Sequence, residues 1–370
     1  MGTDPRSGFS SHLIRCDDFE GEPCFFVGSE LSLETKLYSV IDALYMLQLD
    51  DAERTSFEFG LMYGGHAEQQ LLIQILANIN ELVSDRVRMK VYIDFELIEL
   101  PTPFDFQELP GDMESRLALI DRNREPPGII EELKTTFENP SLEWSCTSLS
   151  EDWIGRIDGV QFCKTTSEGA CLLSLDENPR ARRIMLEQLS QHGIDLDVST
   201  NRTLTKDEAV SIISILQSDE SVSRLQECVS PQRVRARVVN KKAKLIPGEA
   251  ICEDFPCAWS SDPVSFRTAD LLIHDSDHTY AVNFEISTGG RIQNNYRYGI
   301  LKAALNAQFL RSAQKLVPWL QKQKISSDSF QPVLAFPKLT SARARSRFPQ
   351  LTALAELFSV QIVQVRGSSL

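Results

Sequence analysis

Leu33, Leu37, Val40, Ile41, Leu44 and Leu47 recur at three- and four-residue intervals in SLETKLYSVIDALYMLQL, which predicts an amphipathic helix. HAEQQLLIQILANINELV repeats the pattern with Leu72, Ile75, Leu76, Ile79 and Val83. VRMKVYIDFEL then alternates, with Val87, Met89, Val91, Ile93, Phe95 and Leu97 on one side, as expected of one half-buried strand. The proline-rich LPTPFDFQELPGD and REPPGIIEE interrupt the periodicity and read as surface loops. GACLLSL reads as a strand, and NPRARRIMLEQLSQHG as a helix with Pro179 in its first turn and Gly193 beyond its end. Thr205 and Glu208 stand in capping-box spacing at the head of another helix. Val234, Ala236 and Val238 alternate with Arg233, Arg235 and Arg237, which suits a strand with one basic face. A Gly-Gly break at 289–290 then leads into a long helix through RIQNNYRYGILKAALNAQFLRSAQKL. The mixture of helical and strand periods places the chain in the α/β class, a mixed β-sheet flanked by helices.

Charge adds a boundary to this picture. The net charge of −14 conceals 19 Lys and Arg against 42 Asp and Glu over 1–230 (−23), and 19 against 10 over 231–370 (+9). With 370 residues the chain has room for two domains. The expectation is an acidic α/β region over 1–230, serving specificity, oligomerisation or regulation, and a basic domain over 231–370 that meets a polyanion. Arg233, Arg235, Arg237, Lys241 and Lys242 would then face phosphates. Two alternatives stay open: this strand is merely solvated, or the basic residues face acidic ones of the first region. SARARSR at 341–347 is a further basic cluster that either touches phosphate or solubilises a loop.

No apolar run approaches the roughly 18 residues a membrane span needs, and the polar start lacks a secretory apolar core, so no membrane partner and an intracellular location are expected, cytoplasmic in a prokaryote. Eight cysteines without C-x-x-C spacing read as reduced, mostly buried thiols. Neither a Walker loop, a dinucleotide fingerprint, a serine nucleophile elbow nor an H-E-x-x-H motif is present.

The stretch ADLLIHDSDHTYAVNFEIST (269–288) carries the candidate chemistry. Folded as a hairpin about DSDH, it pairs His274 with Thr279 and sets Asp270 opposite Asn283, with Glu285 its diagonal neighbour. Val282, Phe284 and Ile286 then point into a core, while Asp270, Asn283, Glu285 and Ser287 share the other face. Two carboxylates at that spacing can hold a hard divalent ion, Mg²⁺ or Mn²⁺; the alternative is pairing with Arg291 or Arg297. His274 and His278 around the turn read either as metal ligands or as a solvated turn.

A carboxylate on one strand, a Glu-x-x pattern on the next and a helix with basic positions resemble the restriction-endonuclease-like PD-(D/E)xK nucleases. TAD ending at Asp270 stands where that family has its first half-motif, and FEIS ends with Ser287 where it usually has Lys. The resemblance implies a restriction-endonuclease-like C-terminal core and a Mg-dependent DNA endonuclease of restriction or defence type. Asp270 and Glu285 would hold the metal, with Ser287, or Lys302 from the following helix, positioning the water. Arg291 and Arg297 would join the phosphate grip, nucleic acid (DNA ahead of RNA) would be the partner, and homodimerisation is open. MYGGHAEQQLL and EIST…YRYGILKAALNAQFL are in addition similar to 5′-end RNA decapping exonucleases, in which reading Glu68, pointing inward, or Glu249 supplies a third carboxylate. A catalytically inactive nucleic-acid-binding protein on the same fold is the remaining alternative.

Overall fold

The computed structural model describes residues 13–19, 22–28, 30–50, 56–65, 68–103, 106, 109, 111–121, 125–137, 141–146, 151–194, 202–228, 230–241, 243–262, 266–286, 294–339, 345–346 and 348–365. Among them the chain is mixed α/β, built on three five-stranded sheets.

The first sheet runs β1 (Leu13–Phe19), β2 (Glu22–Val27), β3 (Phe57–Tyr63), β4 (Val87–Ile93) and β5 (Glu96–Ile98) in that order, with β2, β3 and β4 parallel. Helices α1 (Leu33–Asp50) and α2 (Gln69–Val83) connect these strands and form where the apolar periodicity placed them. The alternation through VRMKVYIDFEL is not one strand. Asp94 and Phe95 adopt positive φ, and the chain doubles back as an antiparallel β4–β5 hairpin that leaves Phe95 70% and Leu97 61% exposed. The two-residue turn pairs Val91 with Ile98 and Tyr92 with Leu97, so alternation read straight through the reversal assigns Leu97 to the wrong face.

The stretch read as proline-rich loops contains two helices, α3 (Met113–Asp121) and α4 (Gly128–Thr136); Pro126 and Pro127 precede α4 instead of interrupting it. The second sheet, in the order β10 (Thr203–Leu204), β9 (Cys171–Leu173), β8 (Val160–Thr165), β7 (Trp153–Ile157), β6 (Leu142–Cys146), is wholly antiparallel. Asp158 and Gly159, both at positive φ, turn β7 into β8 as a two-residue Asp-Gly hairpin. Helices α5 (Pro179–Gln191), α6 (Lys206–Leu216) and α7 (Asp219–Gln226) cover this sheet. Asn178 caps α5 and the Thr205–Glu208 capping box opens α6, as read from the sequence.

The segment read as a basic strand is instead helix α8 (Pro231–Val239), with Ser230 as its N-cap and Pro231 at its first position. Proline fixes a helical φ and lacks only an N–H that the first turn leaves unpaired, so the start signal outweighs the short alternation. The third sheet follows, in the order β11 (Glu249–Ala258), β12 (Phe266–His274), β13 (Thr279–Phe284), β14 (Phe330–Pro337), β15 (Gln361–Val365). Its first three strands are antiparallel and the last three parallel. Leu271, Ile273, Val282, Phe284, Val333 and Ala335 pack on one face with Val234 of α8. The other face lies under α9 (Asn294–Ser312), with α10 (Val317–Lys322) beyond it. The largest core joins α1, α2 and the first sheet to α9, β14 and α11 (Phe348–Leu357), so elements from both ends of the chain share one interior. All eight cysteines are free thiols, and no described helix is long and apolar enough to cross a membrane.

A carboxylate–lysine cluster on the third sheet

The hairpin forms as its pattern requires: His274 pairs with Thr279 and Leu272 with Ala281 around the DSDH turn. His274 Nδ1 lies 2.9 Å from Thr279 Oγ1, while Asp275 accepts from the Asp277 and His278 amides and from the Tyr280 hydroxyl. These groups close the turn, and His278 is exposed. Val282, Phe284 and Ile286 enter the core facing α8.

The β12–β13 pairing ends at Leu271↔Val282, and there the Asp270 carboxylate takes over, accepting the Phe284 amide at 2.6 Å. Glu285 lies just beyond β13 and forms an ion pair of 2.9 Å with Lys302 of α9. The Glu285 side chain is 13% exposed and that of Lys302 24%, so the pair is sheltered yet open on one side. Gly299 makes this approach feasible. A Cβ there would stand 2.7 Å from both Glu285 Cγ and Leu334 Cδ1, so only glycine lets α9 lie against the site.

One turn beyond Lys302, Asn306 fixes the rotation of the helix. It donates to Thr268 O (3.0 Å) and Asn283 Oδ1 (3.1 Å) and accepts from Trp259 Nε1 (2.9 Å), a buried polar network with each amide atom used.

Burial raises the pKa of Asp270, opposed by Lys302 and Arg235, and burial likewise raises that of Glu285 against the pull of Lys302. Burial alone would lower Lys302, but Glu285 and Asp270 more than offset it and its pKa is raised. Lys302 is therefore a fixed cation between two acids, and the cluster carries a surplus negative charge when all three are ionised. With Lys302 between them, the two acids together keep one net negative charge, and both present oxygen donors.

The sequence had not connected α1 to this place. Tyr38, half-buried on α1, is pushed up to about 12 by burial and by Glu34 and Glu285. Its ring stacks on that of Tyr298, with centroids 3.9 Å apart. Burial and Glu34 raise Tyr298 as well. Glu34 and Tyr38 are four residues apart on α1, as are Tyr298 and Lys302 on α9, so each pair shares a helix face.

The arginines assigned to phosphate lie elsewhere. Arg233 and Arg237 are buried and both bind Asp158, at 2.8 and 3.2 Å; Arg235 binds Glu253 (3.2 Å) and Asp254, and donates to the Asp270 carbonyl (3.3 Å). Arg297 is fully buried, 2.7 Å from Asp42 of α1 and 4.8 Å above the Tyr45 ring. These four guanidiniums face acids of their own chain, which corrects the basic strand edge; Arg233, Arg237 and Arg297 meet acids of the first region, as the alternative had it, while Arg235 pairs within 231–370. Lys241 is exposed just past α8. Glu68 does not point inward: it is exposed at the N-cap of α2, outside the helical period that suggested burial, and acts on the buried Lys36. Glu249 is exposed at the His274 end of the sheet, four residues along β12 from Asp270. Lys242, Ser287 and Arg291 lie outside the described residues.

Among the described residues no group of three His, Cys, Asp or Glu side chains converges as a metal site. The two acids that share Lys302 as an electrostatic partner, one Asp and one Glu, offer hard oxygens. They suit Mg²⁺ or Mn²⁺, which commonly rest on one or two carboxylates with water and substrate oxygens completing the shell. In comparisons with known proteins, no family model matches the chain and no curated protein matches it.

Proposed function

We propose that the protein is a metal-dependent phosphodiesterase acting on nucleic acid, with a DNA endonuclease as the leading form. The observation that carries this reading is the Glu285–Lys302 ion pair beside Asp270, at the edge of a sheet that changes there from antiparallel to parallel. Asp270 and Glu285 would hold Mg²⁺ or Mn²⁺. Such an ion supplies Lewis acidity to a phosphoryl oxygen and lowers the pKa of an attacking water. Lys302 would take the part of the strand lysine that the resembled nucleases usually have where this chain has Ser287. Held protonated, it orients water by donation and offsets negative charge developing on phosphorus. Gly299 and Asn306 keep it in place. Ser287, two residues beyond Glu285 in sequence, is the alternative water-positioning group.

The test is cleavage of duplex DNA, single-stranded RNA and capped RNA by the purified protein with Mg²⁺ or Mn²⁺. Hydrolysis that requires the metal and disappears in folded Asp270→Asn and Glu285→Gln variants is the expected result. Undiminished cleavage in either variant sinks the assignment, and preference for capped RNA would move the reading to 5′-end processing.

A second reading has an observation of its own. Asp270 is already engaged by a backbone amide and Glu285 by Lys302, as in a purely structural network. A non-hydrolytic nucleic-acid-binding protein would show binding without turnover under every metal.

A further inference from the structure

A site with surplus negative charge repels a polyanion unless exposed cations stand beside it, and the arginines of α8 and Arg297 of α9 face inward. We infer that the sheet edge carrying Lys338 and Arg345 is a phosphate-binding rim for the backbone of a nucleic acid reaching Asp270 and Glu285; the substrate class rests on the function proposed above.

The topology brings this rim to the site. β13 and β14 are parallel with Phe284 opposite Ala335, and the Glu285 amide extends the ladder to Ala335 O at 2.9 Å. The chain therefore leaves both strands at the same edge. Lys338 is three residues past Ala335, about 10 Å along an extended chain, and is exposed while Leu339 beside it is buried.

An aromatic ladder secures the neighbourhood. Phe336 stacks on Tyr296 in the first turn of α9 (4.3 Å, 23°) and meets Phe348 at the start of α11 edge-on (6.5 Å, 78°). Asn295, next to Tyr296, donates to Ile286 O at 3.1 Å, one residue beyond Glu285. Arg345, exposed, precedes Phe348 by three residues. From 329 to 355 the sequence holds Lys338, Arg343, Arg345 and Arg347 and not one acid, in a chain whose net charge is −14. Local positive charge against so acidic a background, at the C-terminal edge of parallel strands, is the arrangement that recruits phosphate.

The experiment uses the full-length chain and fluorescein-labelled 20-nucleotide single-stranded and duplex DNA, with anisotropy read from 50 to 200 mM salt. Lys338→Gln and Arg345→Gln should each weaken binding at low salt and reduce the slope of log K against log[salt] by roughly 0.7 to 0.9, with circular dichroism and thermal midpoint unchanged because both side chains are exposed. Wild-type protein that binds neither DNA overturns the rim, as do variants with unaltered slope. Displacement of DNA by poly-glutamate at equal charge concentration also overturns it, in favour of an acidic protein partner. Asp270→Asn separates the two proposals. If wild type and this variant bind DNA with the same rim-dependent slope but wild type never cleaves, hydrolysis fails and the rim stands. If wild type cleaves and the rim variants bind normally, the rim fails and hydrolysis stands.

Discussion

Two carboxylates of this chain, the buried Asp158 and the half-buried Asp270, both sit beside arginines of α8 yet are set up for opposite ends. Asp158, at a hairpin tip, receives Arg233 and Arg237, and Arg233 also donates to the Asp158 and Cys228 carbonyls. Gly159 completes the fit, since a Cβ there would come within 3.0 Å of Arg233 Cα. Two arginines share this one carboxylate, and all three side chains are buried. Around Asp270 the balance reverses, with two acids for one lysine and part of the surface open. The first arrangement docks the second sheet onto α8 and accepts no further charge. The second is short of one positive charge, which is the property the proposed metal site relies on.

The sharpest break of the comparison is Asp158→Ala, which removes the carboxylate that two enclosed guanidiniums share. A loss of about 3–5 kcal/mol is expected in urea denaturation, large enough to lower the yield of folded protein. Next comes Lys302→Met: turnover should fall on the order of 10²- to 10⁴-fold with little change in KM, read in single-turnover and steady-state cleavage assays. Gly299→Ala gains a little helix propensity but drives a methyl into Glu285 and Leu334, for a net loss of about 1–3 kcal/mol and a matching loss of metal affinity by calorimetry.

The smallest effect sharpens the contrast. Asp270→Asn keeps an acceptor for the Phe284 amide and removes a reluctant charge, so stability at pH 8 should stay within about 1 kcal/mol of wild type or rise. The native pKa values of Asp270 and Glu285 lie above their unfolded ones, so the native state binds these protons more tightly. Their contribution to stability grows as pH falls from 8 through that range. Subtracting the Asp270→Asn denaturation series from that of wild type should leave this gain as the difference, and a flat difference would falsify the burial-driven shift.

How much of this was legible in the sequence follows from range. α1, α2, α5, α6 and the hairpin about DSDH were readable because each rests on a periodicity or a cap within some 20 residues. The Asp270–Glu285 proximity came from the same local logic, and Lys302 from its place on the following helix. Phe95 and Leu97 misled because the two-residue turn puts Leu97 on the face opposite Val91 and Ile93, and α8 because three Val/Ala positions outweighed a Ser-Pro start. Nothing local could say that Arg297 would meet Asp42, or that Tyr38 would stack on Tyr298 beside the acids. The i, i+4 spacing of Tyr298 and Lys302 was the one unused signal.

The interior shared by α1 and α9 also has a history in time. Asp42 and Arg297 are 255 positions apart. At about 5–20 residues per second of synthesis, the apolar face of α1 waits roughly ten to fifty seconds for the helix that covers it. During that interval Leu37, Ile41, Leu44 and the strands beside them are available to other chains. Yield on expression should therefore respond to translation speed and to holdase chaperones more than to substitutions on the finished surface.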